Sequence, residues 1–470
     1  SVLLGIPTTD EGLQMAVEFG IFQNGATDLP TKVVDEMVIP DGDLQALAES
    51  YARVQIGQIR QGVLADKLGF DYYFMSEHHF QPEGAEFSPN PLLAETAIAA
   101  LTKRIRLAQG TNVTTEHHPV RIAEQAAMLD IISGGRLDFG IGRGYQPREV
   151  ETLGAAFGST IQDQERNRAI FEETFAIILK CWTEDSFSHH GEFFTIPPTY
   201  TRWHHRQTMA YFRDQGEGAL ERVLNVAAAD EYASSGMPIS SRETTLRELQ
   251  VFPKPLQKPY PQIWQPLTSG RSIAYAARNG VNGYFNASTN ERLKRDMERY
   301  YTAAEQAGWP DRLDRGEFEY GWDSKRRRGV ITDRMIHIVD DGIGDLDRAA
   351  RGVEVQWDFY GPFGFSGALV NPGDDPYPLD MKITAPLLRE KGVALHGTVD
   401  EIIEKIIGIR DEAGYGEDFM LNCHFELAGF KTAEIEEQMR CFAERVMPAV
   451  AKACGGHPPR EESTVDFSVG

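Results

Sequence analysis

Two hydrophobic periods alternate along this chain, and the alternation restricts its possible folds more than any single motif does. The stretch VEFGIFQ at 17–23 reads as a strand, residues 51–68 place Val54, Ile59, Val63, Ala65 and Leu68 at helical spacing, and Gly69 ends that run before DYYFMSEHHF. Strand, helix, strand is the βαβ unit, whose strands run parallel because the helix carries the chain back to the starting end of the sheet. The rhythm continues through a helix at 91–101, the strand RIRLAQGTNV, a helix and a strand between 119 and 142, an amphipathic helix at 161–182, QIWQPL, a helix at 273–278 and NGYFNAS. Helices at 290–307, 398–413 and 432–446, with strands at 330–339 and FMLNCHF, complete it. Eight strands, each followed by a helix, predict the α/β class and a closed (β/α)8 TIM barrel.

The rhythm breaks in two places, which predicts two long insertions, about 198–250 and 352–391. Connections of this length in a compact domain are more often functional than neutral spacers. The expected organisation is an N-terminal tail at 1–15, one barrel domain at 16–454 and a disordered tail at 455–470. HHGEFFTIPP, just before the first insertion, reads as a short hairpin.

The stretch HHPVRIAEQAAMLDIISGGRLDFGIGRG at 117–144 carries the clearest chemical signal. Pro119 suits the first turn of a helix, Val120, Ala123, Ala127 and Ile131 recur at helical spacing, and Ser133-Gly134-Gly135 ends the helix. Leu137, Phe139 and Ile141 follow at a period of two. The strand then runs into Gly142-Arg143-Gly144, where glycines leave backbone N–H groups uncovered beside a guanidinium able to grip a phosphate. An anion site and a solvated surface turn both fit this segment taken alone.

Charge and cysteine usage narrow the partners. With 47 basic against 70 acidic residues the formal charge is −23, which opposes nucleic acid and anionic membranes, so any anionic ligand needs a local basic pocket. Hydrophobic residues at 41% and charged residues at 25% allow a large core. The cysteines Cys181, Cys423, Cys441 and Cys454 have no CxxC spacing, and neither a membrane span nor a signal peptide is visible, so a cytoplasmic protein is expected. The chain begins at Ser1, which is compatible with processing or trimming.

Other clusters have plain readings beside their chemical ones. The doublets His78-His79, His117-His118, His189-His190 and His204-His205 lack HxxxH or HxH spacing, so no metal site is expected. Lys325 to Arg328 is a solvated turn or a docking point for a reductase. His424 and Glu426 follow the last strand as substrate-facing or supporting groups. Trp357, Phe359, Tyr360, Phe363 and Phe365 are either an apolar pocket wall or local core.

Several pieces in order resemble the bacterial luciferase-like flavin-dependent monooxygenases: SEHHF at 76–80, the 117–144 stretch, HHGEFF, KPLQKPYPQIW leading into TSGRS, and GTVDEIIEKI followed by FELAGF. The resemblance covers most of 17–450 outside the insertions. It implies a TIM barrel that binds reduced flavin mononucleotide (FMN) at the C-terminal ends of the strands, supplied by a separate NAD(P)H-dependent reductase. Molecular oxygen, through a flavin hydroperoxide, would then oxygenate a small organic substrate. It implies that Arg143 binds the flavin phosphate with backbone N–H groups near Gly144 and Tyr145. Thr268, Ser269 and Ser272 would donate to the same phosphate, at a helix N-terminus suited to anions. His78 matches the family's active-site histidine, and the resemblance favours catalysis over packing for it. It also implies a non-proline cis peptide at or near Gly110-Thr111, beneath the flavin, and a homodimer. Gly142 stands where the luciferase catalytic subunit has a reactive cysteine, which argues against light emission from long-chain aldehydes. A deazaflavin (F420) oxidoreductase and a non-catalytic partner subunit are the alternatives.

Overall fold

Asp43 starts the first long helix earlier than apolar spacing alone suggests. Its side chain accepts from Ala46 N (2.8 Å), and the helix α1 (Leu44–Leu68) ends at Gly69 with φ 100°. The computed structural model describes residues 16–225, 243–309, 329–340, 342–415, 418–458 and 462–467. The predicted tail at 1–15 and the run Lys325 to Arg328 lie outside the described residues.

The described chain falls into two compact units. The first holds the chain up to Asn112, Arg136–Gly140 and everything from Gln262; the second holds Val113–Gly135 and Ile141–Pro261. The first contains the barrel. Its strands are β1 (Ala16–Gln23), β2 (Tyr72–Met75), β3 (Arg106–Gln109), β4 (Leu137–Gly142, as far as Gly140), β5 (Gln262–Pro266), β6 (Asn282–Phe285) and β7 (Val330–Ile338), followed by β8 (Ala394–Gly397) and β9 (Asp418–His424). All their pairings are parallel, and β1 to β7 with β9 form the closed eight-membered ring expected from the sequence. The extra strand β8 pairs only with the far end of β7, Met335 to Ile338, and the pairing of β7 with β9 ends at Met335.

Alternation along the strands turns one set of side chains into the ring. Phe22, Tyr72, Phe74, Ala108, Trp264, Tyr284, Ile331 and Met420, from seven of the eight strands, form one buried cluster. Phe74 stacks on Tyr284 at 5.6 Å and meets the edge of Trp264 at 5.7 Å. Trp264 Nε1 donates to Asp138 (3.1 Å), which is ion-paired with Arg106. The outer helices follow local signals: α2 (Pro91–Leu101) opens with proline behind the Asn90 cap, and Val399–Ala413 begins with a capping box of Thr398 and Glu401.

The second insertion begins as regular structure. Leu346–Tyr360 is one continuous helix, so the predicted boundary at 352 falls inside it; Asp345 caps its start, and its buried Ala349, Val353 and Trp357 keep the helical spacing. We call it the mouth helix, because its far end packs beside the residues that follow β1 and β9. Gly352 lies against Leu427 and Ala428, and Val355 and Phe359 join a small core with Ala26, Val38, Ala85 and Ala428. C-terminal to the ring, Ser463 N donates to Lys103 O (2.8 Å) and His457 meets Asp71 (2.9 Å).

In the second unit, Pro119–Ser133 packs on Gln164–Thr183, where Trp182 Nε1 donates to Ala123 O (2.9 Å). The expected hairpin forms between His189–His190 and Thr195–Ile196. The described part of the first insertion has its own core of Met209, Leu220, Val223 and Leu224, with Phe212 and Leu246 packed against it.

Candidate functional site

Parallel strands in a closed ring leave all their C-terminal ends at one mouth, and the chain places its polar residues there. After β2 the sequence Ser76-Glu77-His78 is buried, although it is far more polar than the strand before it. His78 is held by its backbone, which donates to Ser88 O (3.1 Å), and its Nε2 lies 3.3 Å from Glu86 Oε1. The same loop supplies both residues. Gln81 Nε2 donates to the other Glu86 oxygen (3.3 Å), and Tyr51 of α1 holds Gln81 O.

Two distant segments complete the cluster. Tyr360, at the end of the mouth helix, donates from Oη to Glu86 Oε1 (2.6 Å) and accepts from Asn24 Nδ2 (2.7 Å). Glu426, just beyond β9, accepts from the backbone of Asn24 (3.1 Å) and Gly25 (2.8 Å). His424 lies edge-on to Phe22 at 5.5 Å and 3.4 Å from Gln356 Nε2. Burial lowers His424 to about 4, so it is neutral at physiological pH. Burial and the adjacent Glu86 push the Tyr360 phenol well above its ordinary range, so it is a neutral donor there.

The sequence left two roles open for Glu426, and its hydrogen bonds make it a support for the β1 exit. Burial raises it to about 7, against the opposing pull of the N–H groups of Gly25, Asn24 and Ala26. It therefore binds its proton more tightly folded than unfolded. Its contribution to stability is full below the ordinary value of 4.5 and is lost as pH rises through about 7. The loss is on the order of 3 kcal/mol. Glu426→Gln keeps an acceptor for both N–H groups and cannot ionise. The variant's melting temperature minus the native one is expected to grow between pH ~4.5 and pH ~8, and thermal unfolding at several pH values measures it; a constant difference contradicts the assignment.

Gly110 and Thr111 sit at the end of β3, where Gly110 N donates to Met75 O (2.9 Å), close to the exit that leads to His78. The peptide between them is trans, contrary to expectation: among the described residues the cis bonds are Ile196–Pro197, Phe252–Pro253 and Lys258–Pro259. The physical reason lies one residue on. Asn112 Nδ2 reaches both Gln109 Oε1 and Gly140 O (2.9 Å each), so the break in β3 is stabilised without a bond isomer costing about 3 kcal/mol.

Thr268, Ser269 and Ser272 follow β5 at the same mouth. The two serines form a capping box on Gly270–Arg278: Ser269 Oγ accepts from Ser272 N (3.2 Å), and Ser272 Oγ accepts from Ser269 N (3.1 Å). These hydroxyls are engaged in starting the helix. Gly270 opens the first turn of this helix, whose backbone N–H groups point out of its N-terminal end.

Arg143, Gly144 and Tyr145 belong to the second unit. Arg143 Nη1 donates to the neutral Gln164 (3.2 Å), and its carbonyl accepts from Thr115 (2.9 Å) and Asn167 (3.1 Å), which fix the turn. Gly144 has φ +71°, and a side chain there would run into Val150 and Val113, so the turn requires glycine.

The remaining histidine doublets have separate partners: His189 with Glu173 (2.9 Å), His204 with Thr244 (3.0 Å), and His118 against Phe157 and Phe194. Among the described residues no three metal-binding side chains converge. Sequence reasoning missed Asn24 and Glu86, and weighed Tyr360 only as an apolar pocket wall or local core. A carboxylate inside the loop PEGAEF was the one available signal.

Buried acceptors give a test of fit for a flavin ring. Asn286 Oδ1 beyond β6, Asp333 Oδ1 on β7 and Gln356 Oε1 on the mouth helix are buried without a hydrogen-bond partner among the described residues. A reduced isoalloxazine carries N–H groups, and such an acceptor set suits it.

A family model described as luciferase-like monooxygenase matches residues 47–230. The chain is 29% identical over 239 residues to an uncharacterized protein of Sinorhizobium fredii, covering 51% of each. It is 28% identical over 219 residues to the oxygenase component of a flavin-dependent trigonelline monooxygenase of Acinetobacter baylyi, covering 47% of this chain and 45% of that one. The matches thus span about half the length of these curated relatives. The oxygenating constituent of 3,6-diketocamphane monooxygenase from Pseudomonas putida, solved in complex with FMN, shares the fold at a TM-score of 0.61 and 20% identity, over 92% of this chain and 98% of that one. No helix of the described residues is long and apolar enough to cross a membrane.

Proposed function

We propose that this chain, whose residues 47–230 match the luciferase-like monooxygenase family model, is an enzyme that inserts one atom of molecular oxygen into a small organic substrate, using reduced FMN from a separate NAD(P)H-dependent reductase. The observation that carries this reading is the buried His78 facing Glu86 at the mouth of the ring. When bound, the reduced flavin supplies the electrons that activate oxygen. The chain's own residues hold the ring, exclude water and manage protons.

His78 is the proton-handling residue in this reading. An imidazole can give or take a proton at the reacting face, and its burial keeps bulk water from competing. The free acceptors of Asn286, Asp333 and Gln356 suit the N–H groups of the ring, and Gly110 and Thr111 bound the mouth beside β2. Thr268, the Ser269–Ser272 cap and the N-terminal turn of the helix that opens at Gly270 are proposed as the second contact to the phosphate. Arg143, with the N–H groups around Gly144 and Tyr145, is proposed separately as a phosphate contact, supported by the rigid turn that presents it. The four cysteines are buried free thiols, which supports a cytoplasmic setting, and a homodimer is the assembly proposed.

The experiment that tests the reading mixes the protein with reduced FMN, oxygen and a panel of small organic substrates, and scores oxygenated product against hydrogen peroxide. Product coupled to flavin oxidation is the expected result. Tight retention of a deazaflavin, visible in the absorption spectrum, with hydride transfer and no oxygen uptake overturns it in favour of an F420 oxidoreductase. Binding without any turnover points to a non-catalytic subunit. For Arg143→Ala, affinity for reduced FMN is expected to fall about 10- to 100-fold, the scale of charge-assisted bonds to a phosphate. Anaerobic titration of flavin fluorescence measures it, and unchanged affinity removes Arg143 from the phosphate site.

A further inference from the structure

The carboxylate of Glu86 sits between two groups that reach it from different parts of the chain. On one side is His78 Nε2 at 3.3 Å, from the same loop; on the other is Tyr360 Oη at 2.6 Å, from the end of the mouth helix. We propose that Glu86 and Tyr360 are positioning residues for His78: the second insertion supplies a hydroxyl that fixes the Glu86 carboxylate in the orientation from which it accepts a hydrogen bond from the Nε2–H of the histidine. The proposal rests on the oxygenation reading only for the use that is made of His78; the coupling itself is a property of the flavin-free protein.

Three observations separate this from a mere tether for the mouth helix. First, the helix is anchored without the Tyr360 hydroxyl. Gly352 packs on Leu427 and Ala428, Asp358 accepts from Val38 N (2.8 Å), and Val355 and Phe359 lie in an apolar core. A phenylalanine at 360 would keep that packing. Second, the 2.6 Å contact has the length of a charge-assisted O–H···O⁻ bond, the kind that restricts a carboxylate most strongly. Third, Tyr360 is oriented in turn by Asn24 Nδ2 at 2.7 Å, and the backbone of Asn24 is held by Glu426. The chain Glu426, Asn24, Tyr360, Glu86, His78 thus links the exits of β9, β1 and β2 with the insertion, and each member is fixed by the next.

The consequence for His78 follows from charge. An ionised carboxylate within hydrogen-bond range favours the imidazolium and orients the ring so that Nε2 carries its proton toward Glu86. A hydroxyl donating to that carboxylate draws off part of its charge. The other ionisable groups around the pair are Glu77 with His79 (3.6 Å) on the same loop, Gln81-bound Tyr51 from α1, Glu426 beyond β9, neutral His424, and Asp333, whose charge acts on Tyr360.

The two positioning residues therefore predict opposite shifts. Glu86→Gln removes the negative charge, and the titration of His78 is expected to move down by about one to three pH units. Tyr360→Phe removes the shortest of the donors to Glu86 and leaves Gln81 Nε2 (3.3 Å) and Asn24 Nδ2 (3.5 Å), so more of the carboxylate's charge acts on the imidazole and the titration is expected to move up. The measurement is the pH dependence of the ring 15N resonances of histidine-labelled, flavin-free protein, with His78 assigned by its disappearance in His78→Gln. A loosened fold would move both variants the same way, so shifts of equal sign, or no shift in either, overturn the proposal. If one variant does not fold, the other still decides it by its sign. The companion measurement is the ratio of product to peroxide with reduced FMN. Opposite shifts with no oxygenation by the native protein uphold the coupling and sink the oxygenation reading. Normal oxygenation with an unmoved His78 titration does the reverse.

Discussion

His78→Ala is expected to bind reduced FMN within about twofold of the native protein while product formation falls by about 10²- to 10⁴-fold, with oxygen released as hydrogen peroxide instead. The separation of the two effects is what the geometry predicts. His78 is 9% exposed and its side chain faces Glu86, so its removal deletes a proton-handling group that is not among those proposed to hold the phosphate. The cavity left behind is polar and can admit water, which favours release of peroxide over its productive use. Parallel assays of flavin affinity, product and peroxide on the same preparation check the prediction. Product formed at the native yield would falsify the role given to His78.

Gly140→Ala is expected to destabilise the protein by about 3 kcal/mol or more, at the upper end of what overpacking does in a core. A Cβ at this position of β4 would overlap the backbone carbonyl of Gln109 on β3. Flexible side chains can step aside from a methyl group, but a carbonyl in a sheet cannot move alone. Here a shift would also break Gly140 N to Gln109 Oε1 (3.2 Å) and Asn112 Nδ2 to Gly140 O (2.9 Å). Gly270→Ala is the matching control, because a methyl group there meets nothing within 4 Å, and its effect is expected to stay within about 1 kcal/mol. Denaturant midpoints of the two variants give the comparison. Equal midpoints would mean that β3 and β4 do not approach this closely.

The two predictions mark how unevenly the sequence reveals its structure. The helix Pro91–Leu101 and the Thr398 cap were legible residue by residue, because proline, a capping side chain and a 3.6-residue period are signals within one turn. The start of α1 was missed, since its cap, Asp43, precedes the clearest part of the apolar pattern. Gly110 was expected to precede a cis bond and does not, because the polar bonds of Asn112 stabilise the break in the strand. The hydroxyls of Ser269 and Ser272 were read as ligand donors and are engaged in capping their own helix.

His78 shows the same division at the site. Its position at the end of a strand, beside the residues that carry the family resemblance, could be read directly. Its environment could not: Asn24, Glu86, Tyr360 and Glu426 are spread over most of the chain and share no spacing. Tyr360 was read as part of an apolar pocket wall or of local core, since composition records the ring, whereas the fold brings its hydroxyl to a carboxylate.

By itself the sequence determined the βαβ alternation, hence the parallel ring, and which residues stand at the ends of its strands. These follow from forces acting within a few residues: side-chain periodicity, capping and the backbone limits of glycine and proline. Only the tertiary structure decided which of those ends are joined by hydrogen bonds and what the second insertion contributes. A buried polar contact forms wherever closure of the ring brings a donor to an acceptor, and the separation of the two along the chain plays no part in its energy.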